Sequence, residues 1–173
     1  MSVEARASVP TRERLLELLE SLSISFERFS HPVANTCEEL RSFVPDLPGA
    51  GVKNLLVGDL RKRVWFLLLV GHEKRVDLKR LGKELGFHLS FAPAETMLEL
   101  LGVTPGSVTA LGLFADTNRT LRVLMDSDLG NAPAYQFHPL RNDETIVVRR
   151  EDLVEFLAHT GHLLEVRELP ERP

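Results

Sequence analysis

The sequence predicts a mixed α/β fold, in which helices surround a single sheet that is partly closed like a barrel. Apolar and amphipathic segments alternate irregularly along the chain, and hairpin patterns occur among them. Residues 64–70 are continuously apolar, which is typical of a strand buried on both faces. No repeat, low-complexity tract or linker divides the 173 residues. We therefore expect one domain over residues 1–173, with its core at about residues 11–169.

In the first half of the chain, helix caps and apolar spacing define the elements. Thr11 is a candidate N-cap for a helix that carries leucines on one face, and Thr36 is a candidate cap for a short helix at 37–43. Glu38 and Glu39 suit the first turn of that short helix. The other predicted elements are a strand at 24–29, a loop at 44–51, and a hairpin of strands 53–57 and 64–70 around a turn at 58–63.

In the second half, glycine and aspartate mark the ends of helices. Asp77 caps a helix that ends at Gly86, and a helix at 94–101 stops at Gly102. Turn-forming residues then dominate 102–109. The remaining predictions are strands at 88–91, 111–115, 121–125, 134–137, 145–149 and 163–168, and a helix at 151–160.

Composition limits the classes of function. The net charge of −4 argues against a general nucleic-acid coat protein, but it allows contact with one end of an RNA. Cys37 is the only cysteine, so no internal disulfide can form and a reducing compartment is expected. The apolar run at 64–70 is too short to span a bilayer. We expect a soluble cytoplasmic protein with no membrane or DNA partner.

Two polar motifs lie where the hydrophobic pattern gives polar residues no packing role. Lys53 and Asn54 open an apolar strand shortly after a glycine pair, and His138 and Asn142 follow the strand at 134–137. A lysine at a glycine-rich strand entry can hold a phosphate or a polarised carbonyl. Taken singly, each residue also has a structural interpretation: an edge-strand lysine, a histidine that ends a strand, and a turn asparagine.

Other chemistry is less well supported by the sequence. The histidines form no HExxH motif or zinc-finger spacing, and no phosphate loop or nucleophile elbow is present, so no metal or cofactor is expected. A lone Cys37 is more often a small buried hydrophobe than a nucleophile. The basic residues around 61–63 and 74–83 favour a solvated face, although an RNA backbone could dock there.

Several motifs in order along the chain resemble the bacterial YbaK/ProX family, the free-standing relatives of the editing domain inserted into prolyl-tRNA synthetase. The resemblance covers roughly residues 11–169, and within the family it is greatest to the branch called ProXp-ala or PrdX. The motifs are His31-Pro32 with Thr36 and Glu38-Glu39, Pro48-Gly49 with Lys53-Asn54-Leu55, residues 77–81, 89–92 and 98–109, His138-Pro139-Leu140 with Asn142, and Asp152-Leu153 with Phe156-Leu157.

The resemblance implies hydrolysis of the ester that joins a wrong amino acid, alanine in this branch, to tRNA for proline. It implies no metal and an attack helped by the terminal ribose hydroxyl of the tRNA. The expected partners are the mischarged tRNA acceptor end and prolyl-tRNA synthetase. The expected catalytic residues are Lys53, His138, Gly106 and Ser107, and the expected substrate-binding residues are Asn54, Val108, Thr109, Asn142 and Thr36.

The expected roles follow from the chemistry of an activated ester, for which positioning and oxyanion stabilisation can suffice. Lys53 is assigned to the terminal phosphate or ribose, His138 to substrate hydrogen bonding, and the N–H groups of residues 106–108 to the carbonyl oxygen.

This chain departs from the family pattern at a few positions. Ala110 stands where the family's glycine loop usually ends in proline, which we expect to loosen the loop. Asp143 and Glu144 follow Asn142 and add negative charge, which would repel phosphate or select an amino group. Two alternative functions stay open: a binding module for tRNA or a synthetase without hydrolysis, and a deacylase for cysteine on the same tRNA.

Overall fold

The computed structural model describes residues 10–173 and confirms the predicted mixed α/β fold. The helices in this part of the chain are α1 (Arg12–Ser21), α2 (Cys37–Phe43), α3 (Leu78–Leu85), α4 (Ala94–Leu101) and α5 (Arg150–Thr160). The strands are β1 (Phe26–Ser30), β2 (Ala50–Asp59), β3 (Val64–Gly71), β4 (Ser90–Phe91), β5 (Leu121–Asp126), β6 (Ala134–Phe137), β7 (Glu144–Arg149) and β8 (Leu164–Arg167).

The eight strands of the described residues form one mixed sheet in the order β1-β7-β6-β2-β3-β5-β8, with β4 beside β2. β2 and β3 are antiparallel, as the hairpin prediction requires, whereas β3, β5 and β8 run parallel. β2 also runs parallel to β6, but only through Ala50 and Gly51. β4 pairs with the same edge of β2 from Val57 onward. No strand of the described chain covers this edge over residues 52–56.

β3 is the buried centre of the fold. Its alternate residues Trp65, Leu67 and Leu69 join a hydrophobic cluster that includes residues of α1, α4 and α5. The intervening residues Phe66, Leu68 and Val70 join a second cluster with α3. Successive side chains of a strand point to opposite faces, so this division confirms the prediction that β3 is buried on both sides.

Capping residues set the helix boundaries as the sequence predicted. Thr11, Thr36 and Asp77 each accept a hydrogen bond from the backbone N–H three residues later. Gly86 and Gly102 end α3 and α4 in the left-handed conformation. Strand limits differ by a few residues from those predicted: β1 begins at Phe26, β2 runs from Ala50 to Asp59, and β4 is only Ser90–Phe91.

The prediction of a strand at 111–115 is wrong, because Ala110–Ala115 form a 3₁₀ helix. The Thr109 hydroxyl accepts a hydrogen bond from the Leu111 N–H at 3.3 Å and starts the helical turn. Gly112 packs against Leu101 of α4, where a Cβ would meet the Leu101 carbonyl at 3.4 Å. A short apolar run has no period that distinguishes a strand from a buried turn, so packing against α4 decides the conformation.

Glu144 at the start of β7 ties three elements together. Its carboxylate accepts hydrogen bonds from Arg12 of α1 at 2.7 and 2.5 Å, and from Arg28 of β1 at 2.7 Å. Burial alone would raise the pKa of Glu144, but the hydrogen bonds from Arg28 and Arg12 outweigh it and hold the pKa below its ordinary value. The buried carboxylate is therefore charged and fully paired at neutral pH.

We predict that Glu144→Gln lowers the free energy of unfolding at pH 7 by about 1–3 kcal/mol, because it weakens charge-assisted hydrogen bonds. The folded-state pKa lies below the unfolded one, so the carboxylate stabilises the fold above the unfolded pKa of about 4.3, and this stabilisation is lost as pH falls through the folded pKa. Urea unfolding at pH 7 and pH 3 measures both effects. Glu13→Gln is the control, since the Glu13 side chain is 71% exposed; equal losses in both variants would contradict the prediction.

Candidate functional site

A cavity of about 230 Å³ lies against the uncovered edge of β2. Its walls come from β2, the end of β6, the start of α2 and the loop before the 3₁₀ helix. Pockets for drug-sized ligands usually have volumes of about 300–1,000 Å³, so this cavity suits a small chemical group. Among the predicted site residues, it is lined by Lys53, Asn54, His138, Gly106, Val108 and Thr36.

Lys53 is held by one backbone contact. Its Nζ donates to the carbonyl oxygen of Lys74 at 2.6 Å. None of the ion pairs found among residues 10–173 involves Lys53. An ammonium group has three N–H donors, so two of them are available for a ligand in the cavity.

His138 is held in one tautomer by β7. Its Nδ1 lies 3.0 Å from the Glu144 carbonyl oxygen, which can only accept, so Nδ1 carries the proton. Burial lowers the pKa of His138, and although the bond to Glu144 opposes this effect, the pKa stays below its ordinary value. The ring is therefore neutral at pH 7. Nε2 is left with a free lone pair and no hydrogen bond within the described residues.

Asn54 joins β2 to the loop that forms another wall of the cavity. Its Oδ1 accepts a hydrogen bond from the Ala110 N–H at 2.9 Å. A proline at position 110 would have no N–H and could not make this bond. The expectation that Ala110 loosens the loop stays a prediction, and the bond to Asn54 is a contact that opposes such loosening.

The loop before Ala110 supplies fewer backbone donors than the sequence suggested. Gly106 adopts a positive φ of 90°, and the Ser107 N–H donates to the Thr104 carbonyl at 3.1 Å. The Ser107 N–H is therefore already used inside the turn. Within residues 10–173, the N–H groups of Gly106 and Val108 make no hydrogen bond. Ser107 and Thr109 are buried and lie outside the cavity lining.

Asn142 also lies outside the lining, where it connects two loops. Its Nδ2 donates to Asn35 Oδ1 at 3.2 Å, and its carbonyl accepts from the Ala34 N–H at 2.9 Å. Thr36 does line the cavity, but its hydroxyl caps α2 by accepting from the Glu39 N–H at 3.1 Å. Both residues therefore shape the wall of the cavity through their structural contacts.

The two acidic residues after Asn142 do not present free carboxylates to the cavity. Arg141 forms a two-pronged ion pair with Asp143, at 3.0 and 2.5 Å. Glu144 is buried between Arg12 and Arg28. The expectation that this pair repels phosphate or selects an amino group is therefore not supported by their positions, since arginines neutralise both.

His72 is a lining residue that the sequence reasoning missed. Its ring packs on Gly51, where a Cβ would lie only 2.0 Å from Cε1. Burial lowers the pKa of His72, and the charges of Arg41 and Lys53 lower it further. A glycine inside a strand marks the close approach of another group, so Gly51 carried the signal for this contact. Thr145 and Cys37 also line the cavity.

The comparisons with known proteins agree with this architecture. The family model "Aminoacyl-tRNA editing domain" matches residues 31–156, which include all the predicted site residues. The chain belongs to this family. The match also confirms the resemblance to the YbaK/ProX proteins.

Relatives of this editing-domain protein occur in animals and bacteria. It is 37% identical over 161 residues to "Prolyl-tRNA synthetase associated domain-containing protein 1" of Danio rerio, covering 91% of this chain and 87% of that protein. It is 27% identical over 159 residues to "Prolyl-tRNA editing protein ProX" of Acetoanaerobium sticklandii, covering 91% and 97% of the two chains.

A solved structure shares the fold of this editing-domain protein. It is described as a candidate trans-editing enzyme for prolyl tRNA synthetase, and it superposes with a TM-score of 0.68 at 24% identity, covering 95% of this chain and all of that chain. Within residues 10–173, no helix has the length and apolar character needed to cross a membrane.

We predict that the pKa of His138 lies below 6.5, because its burial disfavours the imidazolium form. Nitrogen-15 NMR of the histidine rings should show a protonated Nδ1 and a bare Nε2 at pH 7. Comparison with His138→Gln identifies the signal. A lowered folded-state pKa also means that acidification below the unfolded pKa destabilises the fold. A His138 transition at or above pH 6.5, or a proton on Nε2, would contradict the prediction.

Proposed function

We propose that this protein hydrolyses the ester that joins a wrong amino acid to tRNA for proline, with alanine as the preferred wrong amino acid. The observation that supports the proposal is the combination of polar groups in one small cavity: the Lys53 ammonium, the neutral His138 ring, and two backbone N–H groups with no partner in the described chain. The names of the ProX protein and of the animal relatives refer to prolyl-tRNA editing and to prolyl-tRNA synthetase, which supports this proposal.

Each group has a distinct role in this proposal. Lys53 binds the terminal phosphate or ribose through its two available donors. The N–H groups of Gly106 and Val108 stabilise the negative charge that develops on the carbonyl oxygen during attack. His138 accepts a hydrogen bond from the substrate at Nε2, since its neutral ring can accept there while Nδ1 donates to Glu144. Ser107, whose N–H is occupied, is excluded from the oxyanion site.

The arrangement needs no strong protein nucleophile. An aminoacyl ester is activated, so holding it beside a water molecule and stabilising the oxyanion lowers the barrier enough. Cys37 lines the cavity, but burial raises the pKa of its thiol, even though the charges of Lys53 and Arg41 oppose this effect. A protonated thiol is a weak nucleophile, so the proposal assigns Cys37 a place in the wall only.

Cavity size is the proposed basis of substrate choice. A missing methylene changes binding by only about 1–3 kcal/mol, so a site that prefers proline rejects the smaller alanine poorly. A second, smaller site that accepts alanine discriminates in the opposite direction, because its packed wall excludes the additional ring atoms of proline. The bond between Asn54 and Ala110 stiffens the wall that would meet the side chain of the ester.

We predict that Lys53→Ala lowers the deacylation rate of mischarged tRNA more than tenfold, because the variant loses the donors for the phosphate or ribose. Unfolding should be affected only by the loss of one hydrogen bond, about 1 kcal/mol. Arg41→Ala is a matched control, since Arg41 is a nearby exposed cation outside the lining. A single-turnover assay measures both variants. Full activity of the Lys53→Ala variant would contradict the proposed role of Lys53 in substrate binding.

We also predict that alanyl-tRNA for proline is hydrolysed at least tenfold faster than prolyl-tRNA at equal concentrations, a gap of about 1.4 kcal/mol. The reason is steric exclusion of the proline ring from the cavity. A panel of esters on the same tRNA, including the cysteinyl ester, makes the measurement. Equal rates on alanyl and prolyl esters, or cleavage of the cysteinyl ester alone, would overturn the alanine assignment.

A further inference from the structure

A second, larger groove adjoins the cavity. It has a volume of about 800 Å³ and lies between α3 and the segment that leads into β4. Four cationic side chains line it, from Lys62, Lys79, Lys83 and Arg172, and its lining in the described chain includes no Asp or Glu. The whole chain has a net charge of −4. The positive charge is therefore concentrated locally, against the overall balance, which is a pattern that attracts an anionic partner.

The cations of the groove are not neutralised by the fold. Lys79 and Lys83 lie four residues apart on α3, so they project from the same face of the helix. Both are exposed, and neither takes part in an ion pair found among residues 10–173. The ion pair of α3 itself, Arg80 with Glu84 at 3.4 Å, lies outside the groove lining.

Lys62 is held in place at the groove by its side chain, and Arg172 is anchored there by its backbone. Lys62 Nζ donates to the Gly86 carbonyl at 3.1 Å and lies 5.1 Å from the centre of the Phe87 ring. The backbone N–H of Arg172 donates to the Arg75 carbonyl at 2.8 Å, which fixes the main chain of residue 172 at the groove. One cation is thus positioned before any ligand arrives, and the backbone that carries a second cation is fixed beside it.

Phe91 connects the groove to the cavity, because it lines both. Its side chain is 59% exposed, although β4 anchors its backbone to Val57 of β2. A large exposed aromatic ring on a rigid strand, beside a cationic groove, matches the stacking platform that single-stranded nucleic acids use. An unpaired strand is needed, since bases in a duplex have no free face to stack on this ring.

We propose that this groove binds the unpaired 3′ strand of the tRNA acceptor end, with its phosphates along Lys79, Lys83 and Arg172 and a base stacked on Phe91. The inference rests on the proposed function, because the 3′ strand carries the terminal ester that enters the cavity in that proposal. The groove supplies affinity without sequence specificity, and the cavity supplies the chemistry.

Fluorescence anisotropy tests the binding directly with a labelled RNA hairpin of acceptor-stem sequence, either carrying a four-nucleotide unpaired 3′ tail or ending blunt. We expect Lys79→Glu with Lys83→Glu to weaken binding of the tailed hairpin more than tenfold. The slope of log affinity against log salt should become less steep by about 1.4, since each of the two lost phosphate contacts on a single strand contributes about 0.7. Phe91→Ala should weaken binding of the tailed hairpin at least threefold with an unchanged salt slope.

Matched controls separate the groove from general charge and hydrophobicity. Arg61→Glu with Arg150→Glu makes the same change of charge outside the groove, and Phe43→Ala removes an aromatic side chain of similar exposure, 42%. Both controls should bind the tailed hairpin like the unmodified protein. Equal weakening by the controls, or equal binding of the blunt hairpin, would overturn the inference.

Turnover distinguishes failure of this inference from failure of the proposed function. If the protein deacylates mischarged tRNA, the Lys79→Glu, Lys83→Glu variant should raise KM at least tenfold and change kcat less than threefold. Turnover with an unchanged KM in that variant would overturn the groove and keep the proposed function. No turnover of any ester, together with tail-dependent binding that the variant abolishes, would overturn the proposed function and keep the groove.

Discussion

The candidate site depends on a gap in strand pairing. β2 runs parallel to β6 through Gly51 and meets β4 at Val57, so its edge over residues 52–56 faces no strand of the described chain. Parallel strands that diverge leave a crevice beyond the point where they separate. Lys53 and Asn54 lie on one side of this crevice, and His138 follows the other strand. The sheet therefore creates the cavity by topology, while the other edge of β2 is fully paired with the buried strand β3.

The electrostatics of the site follow from where the carboxylates are placed. Asp143 and Glu144 follow the lining residue His138 closely in the sequence, yet both carboxylates form ion pairs with arginines. The cavity is left with the charge of Lys53 and with imidazoles that burial keeps neutral. An anionic ligand therefore meets no repulsion from these two acids. The groove shows a similar separation of charge, because cations line it although the whole chain has a net negative charge.

Local rules predicted much of the fold. Capping by Thr36 and Asp77 and glycine stops at positions 86 and 102 set the helices, and the apolar run of β3 set the buried strand. The prediction of a strand at 111–115 failed, because packing against Leu101 and not the local sequence pattern selects the 3₁₀ helix found there. In the candidate site, the sequence pattern pointed to Lys53 and His138, which both line the cavity. It could not reveal that the Ser107 N–H is used within its turn or that His72 packs on Gly51, since both depend on three-dimensional proximity.

The bond between Asn54 and Ala110 has an evolutionary consequence. A residue at position 110 either has an N–H that Asn54 can accept from or, as proline, lacks it and stiffens the loop covalently. A relative that keeps the asparagine of this motif and carries the family's usual proline cannot form this bond. In such a relative the asparagine oxygen faces the loop without this donor, so the same side chain is free to accept a hydrogen bond from another group. The alanine at position 110 thus converts an asparagine of the strand from a free acceptor at the wall into a fixed connection between strand and loop.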